Sequence, residues 1–382
     1  MTKKWARVLL TSLLTAALFT GCSSAPAESK PEAGTQTEAG TNETNGEKVK
    51  VSLLVTGSFG DKAFNDSAQT GMKQVAEQLS DKVEVEMIEM GNDKTKFEGS
   101  LLDASESDSD IIIVGTWDMK EILEQTAPLF PDKKYIIFDT DVDYAASNLS
   151  NVYSMSYKQN EAAFLAGVLA ASTTTSDMTY ANEEATIGFV GAKDTAAVIN
   201  DSAVGFIQGA QFINPDIKVL VSYVGSYVDS AKAKELALTQ YASGADCVFV
   251  AAGPASVGVI EAAAESKKYV IGVDSDQALA YEGSEEAEFI ISSAIKGVGT
   301  TIFSSIERDL EGNLPYGTYE LLGLAENAVG LADNSIYQSV VSEEIRTAVE
   351  DAKASLLAGE VSVDTAYGMD EATLKGIISS AQ

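Results

Sequence analysis

From residue 48 onward the chain alternates short apolar runs with segments of helical periodicity, and this alternation limits the fold more than any other feature. Strand-like runs cover 51–55, 83–88, 111–114, 135–138, 152–155, 186–190, 218–224, 247–250 and 269–273. Helical patterns lie between them at 66–79, 97–106, 119–130, 161–171, 203–212, 231–241 and 257–265, with another at 297–308. Short runs that are apolar throughout suit strands buried on both faces. Regular strand–helix alternation predicts an α/β chain of parallel sheets with helices on both sides. The 335 residues from position 48 exceed what one core usually supports, so two lobes are expected. A possible duplication agrees with this. Asn65-Asp66-Ser67-Ala68 opens one helix and Asn200-Asp201-Ser202-Ala203 opens another, each after a strand and each followed by a glycine, Gly71 or Gly205. Convergent helix capping by Asp and Ser is the plainer explanation.

The first residues stand apart. Lys3, Lys4 and Arg7 precede an apolar run at 8–19 that ends in Phe19-Thr20-Gly21-Cys22-Ser23-Ser24, the layout of a secretory signal over 1–21. The small residues before a lone Cys are similar to a bacterial lipobox, with Phe19 where Leu is usual. On that reading Cys22 is lipidated and anchors the chain to the outer surface of the cell membrane without spanning it. Residues 22–47 are Ala, Gly, Ser, Thr, Glu, Asn and Pro almost throughout and read as a flexible tether.

Composition excludes several functions. The formal charge of −31, or −34 without Lys3, Lys4 and Arg7, repels nucleic acid and opposes self-association, so no nucleic-acid partner and a monomer are expected. The chain has no histidine, which removes the commonest general base and metal ligand. It has neither a phosphate-binding Gly-x-x-x-x-Gly-Lys motif nor zinc-type Cys spacing, and no cofactor is expected. Cys247, inside an apolar run, reads as a buried small hydrophobe.

The strand ends are where chemistry gathers. Gly57, Asp61, Phe64 and Asn65 follow the first strand; Gly115, Thr116, Trp117 and Asp118 follow the third. Asp139 follows Phe138, and Gly191, Lys193 and Asp194 follow Val190. Gly253, Pro254 and Ser256 follow Val250; Asp274, Asp276 and Gln277 follow Val273. In open parallel sheets these loops share one edge, where ligands bind. Together they describe a polar cleft with aromatic walls.

Six motifs, in order, carry a resemblance: Gly-Asp-Lys-Ala-Phe-Asn (60–65), Glu-Ala-Ala-Phe-Leu-Ala-Gly (161–167), Ile-Gly-Phe-Val-Gly-Ala-Lys-Asp (187–194), Ala-Ala-Gly-Pro-Ala-Ser-Val-Gly-Val (251–259), Ile-Gly-Val-Asp-Ser-Asp-Gln (271–277) and Ser-Ala-Ile-Lys (293–296). They resemble the basic membrane protein family of bacterial lipoproteins, whose best-known members are purine nucleoside receptors serving ABC transporters. The resemblance implies a type I periplasmic-binding-protein fold, two Rossmann-like lobes joined by a multi-stranded hinge. It assigns 48–157 with about 292–325 to lobe 1, and 158–291 with about 326–382 to lobe 2. It implies a nucleoside ligand, an ABC permease and ATPase as partners, and no enzymatic turnover. By the same resemblance Phe64 stacks on the base, Asn65 bonds the base edge and Phe249 covers the opposite face. Asp274 and Lys296 hold the ribose hydroxyls, while Gly253 lets the backbone approach the sugar.

One position departs from the family. Nucleoside-binding relatives carry an Asp directly after the Thr that ends the first strand, and it reads a proton on the purine. Here Thr56 is followed by Gly57-Ser58-Phe59-Gly60. Asp61 and Asp118 are the possible substitutes, and sugar binding is better supported than base identity. Two other readings stay open: a sensory receptor of the same fold that signals without transport, and a nucleoside hydrolase. A hydrolase would need metal-binding carboxylates, for which Asp139-Thr140-Asp141-Val142-Asp143 is the dense candidate and a solvated acidic turn the plainer account.

Overall fold

A computed structural model describes residues 47–382. The signal (1–21), Cys22 and nearly all of the tether lie outside the described residues. The first lobe is built from β1 (Val49–Val55), α1 (Phe64–Gln78), β2 (Val83–Glu89), α2 (Phe97–Glu106), β3 (Ile111–Gly115), α3 (Lys120–Thr126), β4 (Lys134–Phe138) and β5 (Val152–Tyr157). The second contains α4 (Gln159–Thr173), β6 (Thr186–Gly191), α5 (Ala197–Ile213), β7 (Lys218–Tyr223), α6 (Ser230–Ala242), β8 (Cys247–Ala251), α7 (Ser256–Ser266), β9 (Tyr269–Asp274), α8 (Gln277–Ala280) and β10 (Ile290–Lys296). The chain returns to the first lobe with α9 (Val298–Leu310) and β11 (Thr318–Leu322). It ends in the second with β12 (Val329–Leu331), α10 (Ser335–Val340), α11 (Glu343–Leu357) and α12 (Glu371–Ser380).

Each lobe has a six-stranded sheet, ordered β2-β1-β3-β4-β5-β11 and β7-β6-β8-β9-β10-β12. All pairings are parallel except β10 with β12. The two sheets therefore repeat one doubly wound order. Each reverses beside its first strand, where open α/β sheets bind ligands. Central strands such as β3 and β8 are buried at every position, because helices cover both faces.

The repeated tetrads sit at equivalent places in this duplicated plan. α1 packs on α9, and α5 packs on α4. In each pair one helix is the first after its lobe's opening strand and the other directly follows a crossing. A methyl group on Gly71 would overlap the Gly299 backbone, and one on Gly205 would overlap the Asn160 carbonyl, so both pairs meet backbone to backbone. The asparagines also match. Asn65 Nδ2 donates to the Thr56 and Ser58 carbonyls, each at 3.1 Å, and Asn200 Nδ2 donates to the Asp194 carbonyl at 2.7 Å. Each ties the strand–helix loop of its lobe to the helix that follows.

Three crossings join the lobes, after β5, after β10 and between β11 and β12. They bond to one another: Lys158 N donates to the Leu322 carbonyl and Gly297 N to the Ala328 carbonyl, both at 2.8 Å. β10 pairs with β9 through Ile295, so the return to the first lobe falls at Gly297 rather than near residue 292. The apolar pattern hid this strand because Ser292 and Ser293 interrupt it, although both are fully buried. Their hydroxyls are satisfied locally: Ser292 Oγ donates to the Ala332 carbonyl at 2.9 Å, and Ser293 Oγ accepts from Gln277 N at 3.2 Å.

Candidate functional site

The backbone is strained where the strands end. Thr116 after β3 (φ 72°), Asp139 after β4 (φ 61°) and Asp274 at the end of β9 (φ 67°) are all left-handed without being glycine. Such conformations cost about 1–3 kcal/mol each and cluster where structure serves binding. Aspartate tolerates them best, since its short side chain bonds locally.

The centre is an ion pair at the second crossing. Lys296 Nζ lies 2.8 Å from Asp139 Oδ1, with both side chains largely buried. The same ammonium sits 5.5 Å from the ring centre of Phe64 and 5.8 Å from that of Tyr157, which ends β5 at the first crossing. Phe64 in turn leans on Phe138, with ring centres 5.6 Å apart and a 40° tilt. Burial works against the Lys296 charge, but the Asp139 and Asp274 carboxylates outweigh it and hold the ammonium above its ordinary range. Asp274 is pushed up to about 6, by burial first; Lys296 opposes the rise, while Asp139 and Asp61 add to it. Two carboxylates, Asp139 and Asp274, thus act on one ammonium. That group can donate to and accept from a diol.

Several expected residues meet here. Phe64, Asp274 and Lys296 share the cleft, with Phe64 entering from lobe 1 and Asp274 from lobe 2. Asn65 is 8% exposed and spends its amide hydrogens on the 56–58 loop. Asp61 is engaged by backbone: Ala63 N and Asn65 N each donate to it at 2.9 Å, and Asp66 N at 3.1 Å. It therefore shapes the entry of α1 and so places Phe64. Asp118 pairs with Lys94 at 2.6 Å, in the turn beside the exposed Trp117. Gly253 opens the turn after β8 in a left-handed conformation, φ 57°.

Phe249 lies elsewhere. It is 1% exposed, in the middle of β8, with its ring 5.6 Å from Phe189 and 5.3 Å from Phe206. Alternation along a buried strand turns this side chain into the core beneath α5, away from the strand end. The aromatic that lobe 2 does present is Tyr227, between β7 and α6. Its carbonyl accepts from Ala255 N at 2.8 Å, and its ring lies beside Gly253. Its phenol is raised by burial and senses Lys296, Asp139, Asp274 and Asp118, so it stands among the cleft charges of both lobes. Lys193 Nζ lies 5.3 Å from the Tyr227 ring centre. Sequence reasoning passed over Tyr227 because it follows the glycine–serine turn Gly225-Ser226 rather than the end of a central strand.

Asp139 was expected both among the strand-end groups of the cleft and in an acidic run read as a solvated turn, and it takes the first place. That run divides. Asp141 pairs with Lys120 at 3.0 Å and Asp143 accepts from Ala145 N and Ala146 N, while Asp139 turns inward. Among the described residues no group of carboxylate or cysteine side chains has the arrangement of a metal site. Cys247 is buried and free, and its thiol is raised by burial.

The lobes also touch directly at the mouth of the cleft. Lys62, left-handed at φ 53° in the lobe 1 loop, offers its carbonyl to Ser275 Oγ at 2.7 Å and to Gln277 Nε2 at 3.4 Å. Its ammonium lies 3.6 Å from the ring centre of Tyr281 in lobe 2.

Two doubly wound lobes, three hinge crossings and a charged aromatic cleft define a solute-binding protein of the ABC transporter type. More narrowly, the chain belongs to the PnrA-like family of ABC transporter substrate-binding proteins, whose family model matches residues 48–363. It is 32% identical over 300 residues to basic membrane protein D of Borreliella burgdorferi, covering 78% of this chain and 82% of the relative. It is 29% identical over 342 residues to the ABC transporter nucleoside-binding protein BmpA of Lactococcus lactis, covering 83% and 90%. Among solved structures, an ABC transporter solute-binding protein from Aeropyrum pernix superposes with a TM-score of 0.74 at 25% identity, covering 87% of this chain and 98% of that one. This is a family of binding proteins rather than enzymes. It delivers small molecules to a membrane permease driven by an ATPase. No helix among the described residues is long and apolar enough to cross a membrane.

Proposed function

We propose that this chain is the lipid-anchored, extracytoplasmic receptor of an ABC importer and that it binds a nucleoside between its lobes. The observation that carries the reading is Phe64 beside the buried Lys296–Asp139 pair. An aromatic face adjoining a donor–acceptor pair matches a flat base joined to a sugar diol. Phe64 and Tyr227, from opposite lobes, would flank the base, each ring contributing about 1–3 kcal/mol of stacking. Asn65 would read its edge. Asp274, Asp139 and Lys296 would hold the ribose hydroxyls, with Gly253 admitting the sugar. A ligand touching both lobes favours their closure by its differential contacts. The nucleoside-binding relative in Lactococcus supports the ligand class. A purine is preferred on the family resemblance, with Asp118 the remaining candidate to read its proton, since Asp61 is engaged by backbone. The lipid anchor rests on the Cys22 sequence.

Calorimetric titration of the full chain in detergent with purine and pyrimidine nucleosides, free bases and ribose tests the reading. Saturable 1:1 binding of a nucleoside, weakened about tenfold or more in both Phe64→Ala and Tyr227→Ala, is expected. A folded protein, freed of carried-over ligand, that binds none of the nucleosides would refute it.

A further inference from the structure

The C-terminal segment returns to the hinge after α11 and is fastened there by buried groups that the site described above does not use. Asp201, 1% exposed on α5, accepts from Thr365 Oγ1 at 2.6 Å and from Ala366 N at 2.8 Å through one oxygen. Its other oxygen accepts from Gln159 Nε2 at 2.6 Å. Gln159 is two residues beyond Tyr157, at the first crossing. The neighbouring Asn160 donates to the Asp364 carbonyl at 3.0 Å, and Gln208 Nε2 donates to Asp364 at 2.7 Å. A buried carboxylate with three donors, at the foot of the crossing, is a costly way to hold a tail against a surface.

What this clamp presents is Tyr367. A tight turn follows the fastened residues: Met369 N donates to the Ala366 carbonyl at 3.2 Å and Gly368 is left-handed at φ 75°. Tyr367 stands at the tip, 51% exposed, one residue beyond the clamp. The clamp leads to the central ion pair along the chain, because Gln159 lies two residues beyond Tyr157, whose ring centre is 5.8 Å from Lys296 Nζ. In keeping with this, the Tyr367 phenol is pushed up to about 12, by burial first and then by Asp139, with Lys296 pulling the other way. The second tetrad thus parallels the first: Asp66 accepts from Gly60 N at 2.6 Å and Lys62 N at 2.9 Å and fastens the loop that carries Phe64, while Asp201 fastens the strap that carries Tyr367. The match to the family model ends at residue 363, so Tyr367 lies beyond it.

We propose that the C-terminal strap, residues 363–369, forms the hinge-side wall of the ligand site and that Tyr367 contacts the hydroxyls of the bound sugar. The proposal rests on the nucleoside reading. It makes Tyr367 a specificity residue, favouring ligands with an intact diol, and Asp201 a positioning residue that holds it.

The test is calorimetry on the full chain in detergent, with the nucleoside that the wild type binds most tightly and its 2′,3′-dideoxy counterpart. Tyr367→Phe keeps the ring and the turn, so it guards against misfolding in Tyr367→Ala. Removal of a hydroxyl contact is expected to raise Kd for the ribonucleoside about three- to tenfold in Tyr367→Phe, and more in Tyr367→Ala. The preference for the ribonucleoside over its dideoxy counterpart is expected to fall in both, which a merely structural role would not produce. Thr365→Val, which removes one donor to Asp201, is expected to shift the preference in the same direction. Unchanged Kd and unchanged preference in the Tyr367 variants, in a protein whose wild type binds the nucleoside, would overturn the strap proposal alone. A wild type silent toward every nucleoside would overturn both proposals.

Discussion

Replacing Asp274 with asparagine is expected to stabilise the ligand-free protein at pH 7.5 while weakening its ligand binding. The folded carboxyl has its pKa raised from 3.8 to about 6, with burial as the leading cause. Below about pH 4 the group is protonated in both folded and unfolded chains and costs nothing. Between about pH 4 and 6 the unfolded chain loses its proton first, so folding stability falls as pH rises. Above pH 6 the full deficit remains, at most about 3 kcal/mol from the two pKa values. Solvent in the cleft screens part of it, since the side chain is not wholly sealed. Asparagine carries no charge and adopts the left-handed backbone readily, so Asp274→Asn removes the penalty without new strain. Lys296 retains Asp139 at 2.8 Å. The assay is thermal unfolding of the ligand-free full chain in detergent, wild type against variant, from pH 4 to 7.5. The variant should melt several degrees higher at pH 7.5, with the gap closing toward pH 4. Parallel curves, or a gap that widens toward acid, would refute the reasoning. The same carboxylate is proposed to accept from the sugar, so wild-type affinity should decline as pH falls through about 6. The site would then trade stability for binding.

The contact between Lys62 and the Ser275, Gln277 and Tyr281 group favours closure without touching ligand, so Tyr281→Ala should weaken every ligand by the same factor and leave selectivity unchanged. Small-angle scattering should show the ligand-free variant more open; an effect confined to one ligand would contradict this. Phe249→Ala empties a packed core position and should cost about 3–5 kcal/mol of stability. Tyr227→Ala should leave the melting temperature near wild type and lose affinity instead, and a reversal of the two outcomes would restore Phe249 to the cleft. Cys22→Ser should move the protein from the membrane to the soluble fraction of expressing cells; unchanged membrane association would count against the anchor.

Much of the architecture was legible because strand–helix alternation reports burial directly. The nine apolar runs all proved to be strands, and the helix over 97–106 falls where its pattern predicts. The missed strands β10, β11 and β12 have physical reasons. β10 carries buried serines, β11 is a half-exposed edge with Tyr319 and Leu321 facing out, and β12 is three residues long. Of the residues that gather around the central ion pair, Lys296 was legible through its motif, and Phe64 and Asp274 also through their places after strand ends.

What the local sequence could not reveal was direction. Phe249 and Tyr227 are both aromatic residues of lobe 2, yet the first points into the core while the second sits beside Gly253 in the turn after β8. Asp139, Asp141 and Asp143 read alike along the chain, yet only the first meets Lys296, 157 residues away. Tyr367 lies in a polar tail without periodicity, and a buried aspartate on another helix puts it at the hinge. The sequence by itself determined the parallel sheets and the exclusion of histidine chemistry, since these follow from local periodicity and composition, whereas the duplication that the repeated tetrads hinted at became plain only in the repeated strand order. Tertiary structure alone decided which aromatic faces the cleft and which carboxylate pairs with the lysine, because those depend on strand register and on three crossings that bring distant residues together.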